Sequence, residues 1–389
     1  MRIIPVASGK GGVGKSMVAA NLGVALAQSG QRVVVADLDL GASNLHLVLG
    51  HLAPQKGIGS FLNNLKMNVT ELKMQLSDVI VETDVRGLRF IPGDTEIPGT
   101  ANLKTYQLKT LVQQLLALEE NTDILVLDLG AGSHQSILDF FLLSGQGIVV
   151  SAPTVTAVLN AYVFLKNAVF RMMNTSFHRN SKVGKYLEKL RSEGTGPHKL
   201  HIPKILPEIE KIDVAAYDKF KARLDRLHPR LIMNMVSEPK DADVAAKIRR
   251  SCEEYLDLKI DHLGIIYRDS AQDTALSSRM PITIYKPKSI LSQAIYRISE
   301  KILESGEDTY VPDKEQIEDS FQEAGMEAEA DFESKMDYIG ELLHSGTLTQ
   351  GDLIETVKSQ QIEISKLRKE CNFVKKKLTQ AIEKGFNPN

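Results

Sequence analysis

Near the start of the chain, Gly9-Lys10-Gly11-Gly12-Val13-Gly14-Lys15-Ser16 sits between a short apolar run, residues 3–7, and a segment of helical apolar spacing, residues 16–28. The pattern G-x-x-x-x-G-K-[ST] between a strand and a helix is a phosphate-binding loop. Its glycines let the backbone wrap phosphate oxygens with N–H groups pointing inward. The helix beginning near Lys15 adds the positive end of its dipole. Lys15 is expected to reach the β and γ oxygens, and Ser16 to ligate Mg²⁺. Gly9, Lys10, Gly11, Gly12, Val13, Gly14, Lys15, Ser16 and Met17 are the expected phosphate-side contacts of a nucleotide.

The rest of the chain suits such a loop. Short apolar runs at 3–7, 32–36, 87–91, 124–127, 147–151, 231–236 and 262–266 read as buried strands. Segments of 3.6-residue period lie between them, for example 16–28, 103–118, 155–173 and 242–256. Strands alternating with helices predict an α/β fold, a doubly wound, mainly parallel sheet covered on both faces. Turn signals such as Ser29-Gly30 and Pro92-Gly93 punctuate it. Pro5 falls inside a predicted central strand, where a missing N–H is unwelcome, so a strand edge or a bulge is expected there.

Carboxylates at the C-terminal edge of such a sheet face the ligand crevice. The second strand ends in Asp37-Leu38-Asp39, and alternation puts both acids on one side. One carboxylate serves metal and the other water. The apolar run 124–127 ends in Asp128, a Walker B pattern that places Asp128 on a magnesium-bound water, and Gly130-Ala131-Gly132 follows as a switch loop. His134 lies beyond these glycines and is read as a surface histidine.

Lys10, directly before Gly11-Gly12, is not required by the general phosphate loop. With it, residues 10–16 resemble the deviant Walker A motif of the MinD/ParA group of ATPases. The resemblance covers about residues 1–300. It implies an ATP-sandwiched homodimer in which Lys10 reaches the nucleotide of the other subunit. It assigns Asp37 to Mg²⁺ through water and Asp39 to orienting the attacking water. It also makes Asn234, at the end of the run 231–236, a contact to the adenine base, and Arg268-Asp269 part of the loop lining the base pocket. An asparagine amide offers both a donor and an acceptor to a base edge. Lys10, Lys15 and Asp39 are thus the expected catalytic set, Ser16, Asp37 and Asp128 the expected metal set, and ATP or ADP with Mg²⁺ the expected ligands.

Within that group, Asp37-Leu38-Asp39-Leu40-Gly41 with Asn44-Leu45, Leu127-Asp128-Leu129-Gly130-Ala131-Gly132, and Ala152-Pro153-Thr154-Val155-Thr156 with Asn160-Ala161-Tyr162 are similar to the flagellar-number regulators, the FlhG/FleN branch. That branch implies a protein partner, a signal-recognition-type GTPase or a flagellar component. Members often carry an N-terminal extension that stimulates the GTPase; here the chain begins one strand before the phosphate loop, and that stimulation is not expected.

Three regions exceed the group's pattern. Residues 179–230 hold 13 Lys/Arg against 7 Asp/Glu, within a basic insertion at about 176–229. It is read as a solvated helical lobe, with an anionic or protein partner as the alternative. Residues 304–341 hold 14 acids and two lysines, so 304–340 is expected to be a solvated acidic linker with some helix, between an ATPase domain, 1–303, and a helical tail, 341–389. In the tail, Leu353, Val357, Ile364, Leu367, Cys371, Val374, Leu378 and Ala381 recur in four-three steps broken only by Gln360 at its own heptad place. That seam predicts a coiled coil or helix–helix docking. Residues 356–384 carry 8 Lys/Arg and 3 Asp/Glu, and the alternative is a basic helix on an anionic membrane.

Charge narrows the function classes. Lys+Arg 47 against Asp+Glu 49 gives a net charge of −2, which argues against a whole-chain basic nucleic-acid binder. Cys252 and Cys371 lie far apart, which excludes a disulfide scaffold or a CxxC site, disfavours a metal-cluster carrier and suits a reducing cytoplasm. No apolar run approaches the roughly 20 residues of a membrane span. The expected function is an ATP-hydrolysing dimerisation switch for placing or counting a cellular structure, flagella first. The alternatives are a ParA-like partitioning ATPase binding DNA non-specifically, and a nucleotide-holding scaffold assembled through its tail.

Overall fold

A computed structural model of the chain describes residues 1–40, 43–52, 56–65, 74–93, 103–192, 201–305 and 312–344, and single residues at 358, 361, 365, 371 and 377. The described strands form one eight-stranded sheet: β1 (Arg2–Ser8), β2 (Val33–Leu38), β3 (Val81–Glu82), β4 (Leu88–Ile91), β5 (Ile124–Ala131), β6 (Ile148–Ser151), β7 (Arg230–Val236) and β8 (Asp261–Tyr267). Their spatial order is β3-β4-β2-β5-β1-β6-β7-β8. Every adjacent pair is parallel except β3–β4. The doubly wound α/β sheet is therefore as expected. Only β3 was absent from the sequence pattern, because two residues carry no period.

The strands read as continuous apolar runs because both faces are covered. Val34, Ala36, Leu125 and Leu127 point into one core, shared with the helix Val155–Ser176. Val33, Val35, Ile124 and Val126 point into the other, beneath the helices Lys15–Gln28 and Ile290–Glu304. Burial of each such valine, leucine or isoleucine contributes about 1.5–3 kcal/mol. Pro5 lies in β1, an interior strand. β6 pairs with β1 only at Val6 and Ala7, so Pro5 borders one ladder rather than two, and a register shift follows between Val6 and Ser8.

The described residues of the basic insertion form three helices, Lys182–Ser192, Ile202–Ile212 and Val214–Leu224. The first and last fall on the helical pieces that the apolar spacing predicts at 183–191 and 213–227. The middle one was hidden by Pro203 in its first turn and Pro207 inside it. Val183, Ile205, Ile209 and Phe220 are buried in the same core as Phe164 and Val169. The insertion thus covers the sheet, while Lys185, Lys189, Lys204 and Lys219 are exposed on its outer side.

The described part of the acidic stretch is helical as allowed, but packed rather than solvated. Lys314–His344 is one helix. Ile317, Ala324 and Ala328 on one side of it are buried against the body, and Met1–Phe332 forms one compact unit, with Glu333–Asn389 a second. Its acids pair with Arg249, Arg297 and Lys301. Net charge over a window misses this, because the cations that pair with its acids lie outside the window, Arg297 and Lys301 on the preceding helix and Arg249 on Val244–Leu256. Of the seam positions, Cys371 is exposed; Leu353, Val357, Ile364, Leu367, Val374, Leu378 and Ala381 lie outside the described residues. Among the described residues, no helix is long and apolar enough to cross a membrane.

Candidate nucleotide site

The C-terminal ends of β1, β2 and β5 converge on the loop that joins β1 to the helix Lys15–Gln28. Gly12 and Gly14 adopt φ +80°, a left-handed conformation that favours glycine. Around Gly12 a side-chain carbon would meet nothing within 4 Å, so the loop's outer surface is open. Its inner surface is closed: a Cβ at Gly9 would lie 2.0 Å from the carbonyl oxygen of Asn160, and one at Gly14 would lie 2.2 Å from the Asn234 amide nitrogen. Backbone curvature, an open outer face and a helix N-terminus are what a phosphate chain needs.

Under the loop lies a charged cluster. Lys15 is buried, and its Nζ sits 2.5 Å from Asp128 Oδ1 and 3.4 Å from Ser16 Oγ. The other oxygen of Asp128, Oδ2, is buried without a partner among the described residues. Asp37 and Asp128 are register partners on adjacent strands. Asp37 accepts hydrogen bonds from Ser43 Oγ at 2.6 Å, Leu45 N at 3.2 Å and Asp39 N at 3.1 Å. Burial, then the charge of Asp128, pushes the Asp37 carboxyl up to about 7 against those bonds. Burial also pushes the Asp128 carboxyl up, against the opposing pull of Lys15. Two buried carboxylates with one lysine are short of positive charge. That deficit, together with the orphaned Oδ2, fits a divalent cation at this edge.

Asp39 follows β2 and is half-buried. A Cβ at Gly130 would lie 3.4 Å from its Oδ1, so the end of β5 runs directly beside it. Asp39, Gly130, His134 and Phe140 line a pocket of about 210 Å³. His134 is exposed, as expected, and its Nδ1 lies 3.2 Å from Ser136 Oγ. The loop after Gly132 is fastened to the helix Val155–Ser176: Asn167 Nδ2 donates to Ser133 Oγ at 2.8 Å, and Arg171 pairs with Asp139 at 2.7 and 2.8 Å.

The two lysines of the loop point apart. Lys15 is inside; Lys10 is exposed and donates to Thr156 Oγ1 at 3.1 Å, away from the carboxylate cluster. Asn234 is buried in β7, and its Nδ2 donates to the Val13 carbonyl at 2.8 Å, bracing the loop from below. Arg268 and Asp269 follow β8. The Arg268 N–H donates to the Val236 carbonyl, and Asp269 Oδ1 accepts from Ala271 N at 2.9 Å. Met17 is partly buried against the second core. Thus Lys15, Ser16, Asp37, Asp39 and Asp128 meet at one sheet edge, Asn234 touches the loop, and Arg268 and Asp269 lie at the end of the neighbouring strand.

Sequence reasoning missed Ser43, which holds Asp37, and the Asn167 and Arg171 ties; no local pattern marks them. It also missed Asn21. This buried residue of the loop helix donates to Met17 O at 2.9 Å and accepts from the backbone N (3.1 Å) and hydroxyl (2.9 Å) of Thr283. A polar residue inside an apolar helical face was the available signal.

Residues 4–282 match the CobQ/CobB/MinD/ParA nucleotide binding domain. The antiactivator FleN of Pseudomonas aeruginosa is 24% identical over 303 residues, covering 78% of this chain and 86% of FleN. The flagellum site-determining protein YlxH of Helicobacter pylori is 33% identical over 168 residues, 42% of this chain and 53% of YlxH. The septum site-determining protein MinD of Synechocystis is 32% identical over 165 residues, 41% of this chain and 56% of MinD. Among solved structures, a ParA family ATPase from Chlorobium tepidum superposes with a TM-score of 0.51 at 17% identity, over 77% of this chain and 98% of that one.

Proposed function

Because the chain belongs to the CobQ/CobB/MinD/ParA nucleotide-binding family, we propose that it is an ATP-dependent dimerisation switch that hydrolyses ATP to ADP and phosphate. In this reading it acts in the cytoplasm to control the placement or number of a cellular structure. Flagella are favoured, since FleN and the flagellum site-determining YlxH are both similar to it. The observation that carries the reading is the division of labour in the loop: Lys15 is buried with Asp128, while Lys10 is exposed on the outer side, free of the carboxylates.

Lys15 binds the phosphate oxygens of the chain's own nucleotide, exchanging part of its ion pair with Asp128 for them. The loop's N–H groups hold the same phosphates in line. Mg²⁺, when bound at Ser16 with Asp37 and Asp128 behind it, neutralises charge on the phosphates. Ser43 and the Leu45 N–H keep the Asp37 carboxylate oriented. Asp39, beside Gly130, orients the attacking water and accepts its proton. Asn234, Arg268 and Asp269 border the base. Lys10 turns to the second subunit's nucleotide, so ATP closes two copies face to face and hydrolysis releases them. In this reading a protein partner, a signal-recognition-type GTPase or a flagellar component, responds to the closed state.

Lys10→Ala tests this directly. It should bind ATP as wild type does by calorimetry, yet remain monomeric with ATP. Wild-type dimerisation in this variant would sink the trans role. A second reading, DNA partitioning, is favoured by the exposed lysines of the insertion and the ParA-like fold. It predicts retention of the chain on non-specific duplex DNA that weakens steeply with salt.

A further inference from the structure

The acidic helix Lys314–His344 holds to the body in an unusual way. Between residues 314 and 332 its only large aliphatic side chain in the core is Ile317; Ala324 and Ala328 fill the next turns, with Phe321 and Phe332 partly buried. By contrast, the helix Val155–Ser176 buries Phe164, Leu165, Val169, Phe170, Met172 and Met173. Charge takes up the difference. Arg297 pairs with Asp331 and with Glu327 at 3.9 Å, and Lys301 pairs with Glu327 at 3.0 Å and Glu323 at 3.5 Å. Arg249 lies 3.8 Å from Glu318, and its guanidinium sits 4.9 Å over the Phe321 ring.

Its placement has a second consequence. β8 is the outermost strand of the sheet on this side. The His262 N–H of β8 donates to Ser320 Oγ at 3.2 Å, and Tyr267 Oη donates to the Ala328 carbonyl at 2.8 Å. The helix therefore shields a strand edge that would otherwise present unpaired backbone groups.

We propose that residues 314–332 form a releasable strap, held over the β8 edge chiefly by the ion pairs of Arg297 and Lys301. Docked, the strap closes the edge and neutralises a basic face. Released, it opens that edge and frees three cations for an acidic segment of another chain. The observations favour release over permanent packing. The fully buried apolar contact is one isoleucine and two alanines, with Phe321 and Phe332 only partly covered, and Glu318 and Glu323 at the rim are 54% and 61% exposed, so their share of the pairing weakens with ionic strength.

Hydrogen exchange on the full chain tests this. Raising NaCl from 0.05 to 0.5 M should speed exchange across 314–332 by about tenfold while amides of β1 and β5 keep their rates. Arg297→Asp should exchange fast in this segment already at low salt. Arg297→Asp with Asp331→Arg, which restores the pair in reverse, should return it to slow exchange. Exchange of 314–332 at the β5 rate in both salts would overturn the proposal, and so would loss of β5 protection in Arg297→Asp. Either would make the segment part of the cooperative core. A charge swap that fails to restore slow exchange would show that the ion pair is not what holds it.

Discussion

Acid should act on the chain through His262. The ring is buried beside the acidic helix, stacked on Phe321 with centroids 5.0 Å apart, and neither nitrogen has a hydrogen-bond partner among the described residues. Burial, with a further push from the Lys301 charge, lowers its pKa from 6.5 to about 3. The unfolded chain then takes a proton that the folded chain refuses. This contribution to stability is complete above the unfolded value of 6.5 and is lost as pH falls toward 3. Between pH 7.5 and pH 5 the unfolded state gains about 1.5 units of proton-binding advantage at this one site, or about 2 kcal/mol. Asp37, Asp261 and Asp331, whose carboxyl groups are pushed up by burial, act in the opposite direction over part of this range. A comparison of variants removes them. His262→Phe keeps a ring against Phe321 and cannot titrate. Urea unfolding followed by circular dichroism should show wild type losing about 2 kcal/mol more than His262→Phe on going from pH 7.5 to 5. Equal pH dependence in the two would refute the argument, since it would mean that the folded protein accommodates the imidazolium.

Other expectations follow from the site and its supports. Lys15→Ala leaves Asp128 buried without its cation; ATP affinity measured by calorimetry should drop at least about a hundredfold, and the fold should weaken by about 3 kcal/mol. Gly9→Ala forces a methyl group onto the Asn160 carbonyl and should cost about 1–3 kcal/mol by denaturant titration. Gly12→Ala, with open space but a left-handed φ, should cost only about 1–2 kcal/mol. Asn21→Leu strands the Thr283 hydroxyl and N–H and should cost about 1–3 kcal/mol in the same assay.

The readable parts of this protein were those fixed by local chemistry. The phosphate loop announces itself, because wrapping phosphates requires glycines at set positions next to a lysine. Seven strands stood out because a sheet covered on both faces demands unbroken apolar runs. Asp37 and Asp128 were legible for the same reason: each is the first acid after such a run. What the sequence concealed depends on distant partners. Ser43 gains its importance only once it folds against Asp37. The stretch 304–340 looked solvated because Arg249, Arg297 and Lys301, which pair with Glu318, Glu323, Glu327 and Asp331, fall outside it. The helix Ile202–Ile212 was masked by two prolines, although Ile205 and Ile209 carry its apolar spacing.

The central claim is that ATP, rather than nucleotide in general, joins two copies. Mass by light scattering after size exclusion tests it most directly, on wild type and Asp39→Ala, each with ADP and with ATP plus Mg²⁺. The expected result is a monomer with ADP and a dimer with ATP, most persistent in Asp39→Ala, where loss of the carboxylate proposed to orient the attacking water should slow hydrolysis by about 10²–10⁴-fold. A single mass in all four conditions would contradict it, leaving the nucleotide as a ligand that does not govern association.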